Sequence, residues 1–416
     1  MFTAMEALDF TGCVSEAFRD GMRQFYETWL AGEEKDVVED GGRGRSRFRP
    51  GEANDADRAR QSSRTPRFAG LRRLSLRACT TLDSPLLHSL VLCFPCLTHL
   101  DLSGTSVPSS LLTTLTESCP RTLPLTSLSL ARCRRLEPTA VVNFLISCPA
   151  TFGLIDLNLF VNTTSGNAIG SNDLSRLISS APCFKSGRLR YLDISGADLS
   201  STHLATGTFP PQPSLVSLGL SYIPTLPLAP IADFLLNLAP NVEILTLTGT
   251  ALHSSLNPSY SSLQLKLELY AKLINPLTTI PFSLSSLNLS GGTNTDLRPG
   301  PTHLRVIELS SPIRRAITEG NSGELRVIKS KGGRGWYVDT SAGWTRTEQR
   351  EGKMEFVRHL PSNDPWRVWL QGLASANGRV GSAVGWHSRK MEIVRGFGML
   401  GREEGLAGVG AFAFEE

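Results

Sequence analysis

The sequence predicts an α/β solenoid, a parallel sheet backed by helices and built by stacking one short unit along the chain. Three observations predict it. The phrase L-x-x-L-x-L returns again and again from Leu71 onward. A polar turn and an apolar stretch at helical spacing follow most copies. The copies recur at short, near-regular intervals, as in arrays of stacked repeats.

The copies are LRRLSL from Leu71, LTHLDL from Leu97, LTSLSL from Leu125, LIDLNL from Leu154, LRYLDI from Leu189, LVSLGL from Leu215, VEILTL from Val242, LSSLNL from Leu284 and LRVIEL from Leu304, with a degenerate LRVIKS from Leu325. Successive starts lie 26, 28, 29, 35, 26, 27, 42, 20 and 21 residues apart. Intervals of about 20–29 are those of leucine-rich repeats. The last two leucines of a phrase stand two apart, so they face one side of a short strand. Each buried leucine contributes about 1.5–3 kcal/mol, and only stacking of neighbours completes that burial. After the first copy, Leu86, Leu87, Leu90 and Val91 carry helical spacing and are expected to pack back on the strands. The solenoid is placed at 69–331.

Upstream, residues 1–32 hold one candidate helix. Val14 to Leu30 sets Phe18, Met22, Phe25, Tyr26 and Trp29 on one face. That face needs a partner, either the first repeat as a cap or another protein. Residues 33–68 are rich in Gly, Arg, Asp and Glu and are expected to be a disordered mixed-charge linker. Its Arg43, Arg45, Arg47 and Arg49 suit RNA contact or nuclear targeting, but the acids of EEKDVVED beside them favour a solvated linker. Two units are swollen, by VNTTSGNAIGSN (161–172) and by YSSLQLKLELYAKLI (260–274), which add surface for binding or merely decorate it. Residues 332–416 hold five of the six tryptophans and many glycines. Short apolar pieces there (GWYVD, MEFVRHL, MEIVRGF, VGAFAF) are expected to be strands of a small β-rich C-terminal cap.

Composition narrows function. A net charge of +4 over 416 residues is too weak to argue for nucleic acid. The N-terminus lacks a basic run and carries Glu6 and Asp9, and no apolar run spans a bilayer, so an intracellular protein, cytoplasmic or nuclear, is expected. Seven of the eight cysteines lie in the repeats and are expected to be reduced and structural, and the sequons at Asn162 and Asn288 are then chance matches.

Two cysteine positions recur. Cys79 and Cys133 stand three residues past the last strand leucine, while Cys93, Cys119 and Cys148 end helical stretches. The pattern L-x-x-L-x-L-x-x-C resembles the cysteine-containing, ribonuclease-inhibitor-like class of leucine-rich repeat, as in F-box substrate receptors of cullin–RING ubiquitin ligases. That resemblance implies a horseshoe with a concave parallel sheet, and a ligase receptor as one function. No F-box is visible in residues 1–70. The phrase GWHSRKMEIVRGFGMLGREEG resembles C-terminal stretches of fungal leucine-rich-repeat proteins and implies no activity.

The remaining motifs are weak. G-x-G-x-x-G at Gly396–Gly401 lacks the following helix, strand and acid of a dinucleotide site. Cys93-x-x-Cys96 has no second ligand pair for zinc, and no metal or cofactor is expected. His99 and Asp101 share one side of a strand, near Ser75, Ser103 and Ser127, which makes a hydrolase the third reading. The lead reading is a non-enzymatic scaffold that binds a protein on the sheet's outward face. Its expected anchors are Phe160 and Tyr191, with Asp156, Asp193, Asn158, His99 and Asp101 around them and Arg132, Arg134 and Arg135 as a basic rim.

Overall fold

The computed structural model describes residues 5–30, 70–118, 123–161, 168–223 and 226–247, and shorter pieces at 264, 268–278, 302–304, 306–309, 325–329, 335–339, 346–348 and 354–356. The linker with its four arginines, Cys119, the loop 162–167, and the pieces MEIVRGF and VGAFAF lie outside the described residues. So do Trp386, His387 and the Gly396–Gly401 run.

Counting the first residue of each phrase as position 1, the strands occupy positions 3–5. They are β1 (Ala7–Asp9), β2 (Arg73–Ser75), β3 (His99–Asp101), β4 (Ser127–Ser129), β5 (Asp156–Asn158), β6 (Tyr191–Asp193), β7 (Ser217–Gly219), β8 (Ile244–Thr246) and β9 (Val306–Leu309). These nine pair in parallel and in chain order, without register slips: Leu74 faces Leu100, which faces Leu128, Leu157, Leu192 and Leu218 in turn. Two further strands, β10 (Leu325–Lys329) and β11 (Gly335–Asp339), extend the same sheet in the order β9–β11–β10, β11 antiparallel to β9 and β10 antiparallel to β11. A separate antiparallel pair joins β12 (Arg346–Glu348) to β13 (Met354–Phe356). The piece GWYVD coincides with β11.

Among the described copies from Leu71 to Val242 the leucines of the phrase are buried, with Leu71, Leu76, Leu97, Leu102, Leu125, Leu157 and Leu192 fully withdrawn from solvent. Helices complete the core. In α2 (Ser84–Leu92) the side chains of Leu86, Leu87, Leu90 and Val91 are the buried ones, as the spacing predicts. The α2 start is set by Asp83, whose carboxylate accepts from the Leu86 amide at 2.9 Å, satisfying an orphan donor of the first turn. The long unit from Leu154 holds an extra short helix, Pro182–Lys185, after the helix Ser171–Ser180.

The first unit of the array begins earlier than the leucine pattern suggests. Met5-Glu6-Ala7-Leu8-Asp9-Phe10-Thr11-Gly12-Cys13 is a complete copy, with Met and Phe in place of leucine and Cys13 at the recurring cysteine position. Its strand pairs with β2, and the ladder runs on through Phe10 N–H to Ser75 O (2.9 Å) and Gly12 N–H to Arg77 O (2.8 Å). The helix α1 (Glu16–Phe25) follows, capped by Ser15, with Met22 in the core and Phe10 packed on Phe18 at 5.4 Å. An exposed ion pair, Arg23–Asp83 at 2.8 Å, ties α1 to the start of α2.

Candidate functional site

The outward, polar side of the sheet carries three rows of side chains, at positions 3, 5 and 7, and the turn begins at position 8. Strands about 4.8 Å apart bring each row into contact along the sheet. Position 8 must turn the chain from strand toward helix, and it does so with positive φ at Gly12, Ala78, Gly104, Arg132, Gly196 and Tyr222. Three of these are not glycine, and each accepts a left-handed backbone at a cost of about 1–2 kcal/mol. The position 8 amide repays part of this by bonding the next unit: Ala78 N–H to Ser103 O, Gly104 N–H to Ala131 O, and Arg132 N–H to Phe160 O, at 2.7–2.8 Å.

Position 5 caps the strand. Asp9, Asp101, Asn158 and Asp193 each accept, through one side-chain oxygen, the amide two residues on, at 2.9–3.1 Å. The neighbouring units hold Ser75, Ser129 or Gly219 there, so two carboxylates never stand side by side. Where two large residues do adjoin, in the pair Asn158 and Asp193, one is the neutral amide. Hydroxyls then link units: Thr11 to Ser75 at 2.8 Å, Ser103 to Ser129 at 2.5 Å, and Ser221 N–H to Ser195 at 2.8 Å. Gly219 is required beside Asp193, because a Cβ there would overlap the carboxylate.

These ladders correct the expected anchors. Phe160 and Tyr191 are each about 1% exposed, so neither offers apolar surface to a partner. Phe160, at position 7, lies under the Arg132 guanidinium, 5.0 Å from its ring centre, and meets Tyr222 at 5.8 Å. The intervening unit has Gly196 at position 8, where a Cβ would overlap the Val161 carbonyl. Tyr191 sits in register between Asp156 and Ser217. Asp156, Asn158, Asp193 and Asp101 are also buried, and His99 is half-buried. Alternation along a strand assigns a side chain to a face, but not whether that face meets water.

The electrostatics follow from burial. Asp156 is pushed up from 3.8 to about 8, chiefly by desolvation, against the opposing pull of the nearby Arg190 charge and a hydrogen bond from Ser127. It is a carboxylic acid held largely neutral at neutral pH. The proposed base and its orienter are engaged elsewhere: Asp101 accepts from both the amide and the hydroxyl of Ser103, and His99 Nδ1 bonds the Thr98 hydroxyl at 2.7 Å.

The cysteines of the pattern have a structural role. The thiols of Cys79 and Cys133 donate to the Phe10 and Leu102 carbonyls of the preceding unit at 3.0 Å. Burial pushes Cys79, Cys133 and Cys183 up to about 12, so their thiolates are suppressed. All seven described cysteines are free. Among the described residues no group of three or more His, Cys, Asp or Glu could hold a metal ion, and no helix is long and apolar enough to cross a membrane.

Several contributors went unread in the sequence. Tyr222 and Gly196 emerge only when units are aligned at position 8. His203 was not singled out either, yet it joins two units: Nδ1 accepts from Ser200 N–H at 3.1 Å, and Nε2 faces the Ser175 hydroxyl at 3.0 Å. Arg132, Arg134 and Arg135 are all exposed past the end of β4.

No family model and no curated protein matches this chain. Among solved structures, a leucine-rich repeat-containing protein, LegL7 from Legionella pneumophila, matches at 22% identity and a TM-score of 0.32 over 49% of this chain. The match spans 63% of LegL7 itself. At that level the likeness adds nothing to what the repeat phrase and the in-register ladder show, a parallel α/β array of stacked repeats consistent with a leucine-rich-repeat solenoid.

Proposed function

We propose that this chain is a non-enzymatic scaffold that binds a protein partner on the sheet side of a leucine-rich-repeat horseshoe, with the turn rim past β4 as the docking edge. One observation carries the reading: Arg132, Arg134 and Arg135 stand exposed on a turn whose backbone is pinned to the next unit, while Asp101 and His99 are hydrogen-bonded to Ser103 and Thr98. Arginines on a rigid edge present planar donors suited to protein carboxylates and carbonyls. A repeat array supplies such edges at fixed spacing without a catalytic pocket.

The test is affinity purification of the tagged chain with mass spectrometry, beside an Arg132→Glu/Arg134→Glu variant. A partner recovered with the wild type and lost from the variant is the expected result. Equal recovery by both would remove the rim as the docking edge. A cullin with its linker subunit among the recovered proteins would turn the reading toward a ubiquitin-ligase substrate receptor.

A further inference from the structure

Charge is unevenly distributed over the described units. On the sheet side the acids from β3 to β8 are withdrawn from water: Asp101, Asp156, Asp193 and Glu243 are all buried. Of the cations there, Arg77 is buried; the others stand at the two ends of the strands. At the N-terminal ends of the strands Arg72, Arg73, Arg188 and Arg190 are exposed, and past the C-terminal end of β4 so are Arg132, Arg134 and Arg135. The acids that do meet water lie mainly on the helical side. Asp83 and Glu137 stand at helix starts, and Glu117, Asp173 and Asp233 lie within helices. Glu6 and Asp9 at β1, and Asp198 in the turn after β6, are the exposed exceptions, fewer than the seven exposed arginines. A chain close to neutral thus shows a positive sheet side and a more acidic helical back, a pattern that steers and selects an oppositely charged partner.

We infer that the partner of the proposed sheet-side site is an acidic protein segment, rich in Asp and Glu, laid between the two arginine-bearing ends of the strands; this rests on the scaffold reading above. Nucleic acid fits less well, because single strands need exposed aromatic platforms on which bases stack. Among the described side chains of this face the aromatics are committed: Phe160 and Tyr191 are buried, and Tyr222 is packed on Phe160. Carboxylates need only the guanidinium forks, which the rims present.

The experiment measures binding of three labelled probes to the full chain by fluorescence anisotropy: a Glu-rich peptide, a Gly/Ser peptide of equal length, and a single-stranded RNA matched in charge to the first. The Glu-rich peptide is expected to bind best, and more weakly as salt rises toward about 0.15 M. Arg135→Glu/Arg188→Glu, one change at each end of the strands, should weaken it about tenfold, whereas Arg176→Glu on the outer helix should change it less than about twofold. Matching thermal unfolding curves verify that the variants fold. Tighter binding of the RNA, equal binding of the Gly/Ser peptide, or an unchanged affinity in the double variant each overturns the inference. If the natural partner is recovered undiminished by the Arg135→Glu/Arg188→Glu chain, the acidic-segment inference falls and the scaffold stands. If no partner is recovered at all, it is the scaffold that fails.

Discussion

Replacing Asp156 by asparagine isolates the cost of keeping a carboxyl inside the polar face of the sheet. The side chain is 3% exposed, accepts from Ser127, and is pushed from 3.8 to about 8 mainly by desolvation. Below about pH 4 the carboxyl is protonated in both the folded and the unfolded chain, so it introduces no pH dependence there. Between about pH 4 and pH 8 the unfolded chain releases the proton and the folded chain keeps it, so stability falls as pH rises. Above about pH 8 both forms are ionised and the curve flattens. The full span corresponds to about 6 kcal/mol, which relaxation and water entry reduce to about 2–4 kcal/mol. The amide of Asp156→Asn has nearly the same shape, keeps an oxygen for Ser127, and does not titrate. Urea unfolding at unit steps from about pH 4 to about pH 8 should therefore give nearly equal stabilities at the acid end and a growing advantage for the variant toward pH 8. Effects of the other carboxylates are common to both chains and cancel in the difference. Parallel curves across the window would refute the assignment of a buried, neutral Asp156.

Three further outcomes are expected. Asn158→Asp would set two carboxylates on adjacent strands beside Asp193 and should destabilise by about 1–3 kcal/mol at neutral pH, read by urea titration, with partial recovery as the pH is lowered. Gly196→Ala combines a positive φ of 81° with an overlap on the Val161 carbonyl and should cost more than about 1 kcal/mol in thermal unfolding, whereas Ala78→Gly at the equivalent turn should be neutral or stabilising. Cys79, Cys133 and Cys183 should resist alkylation at about pH 8 in the native chain and react on unfolding, as peptide mapping of modified cysteines would show.

The array was legible in the sequence because its period is carried by leucines that must all be buried, and each copy is a local signal. The copy from Met5 to Cys13 was harder to see. It substitutes Met and Phe at two of the three apolar positions, and a long hydrophilic stretch separates it from the next copy. Its position 5 acid, position 8 glycine and position 9 cysteine match nonetheless, and those three polar or small residues were the available signal. The site was only half legible. Exposure of the arginines follows from chemistry that is costly to bury. The burial of Phe160 depended on Arg132 one unit before and Tyr222 two units after it, and Tyr191 lies between Asp156 and Ser217 of adjacent units; a pattern read unit by unit does not contain those neighbours.

The linkage of position 5 and position 7 groups across strands bears on how the array comes apart. Backbone ladders alone would let units fray one at a time from either end. Here Asp101–Ser103–Ser129 and Asp193–Ser195–Ser221 each span two units, and the ring of Phe160 binds the turn before it to the turn two units after it. Opening any one of these units strands a buried polar group or a ring in its neighbour. Amide exchange from the β3–β7 region should accordingly proceed in blocks larger than a single repeat, and the edge held out to a partner keeps its spacing for as long as the block survives.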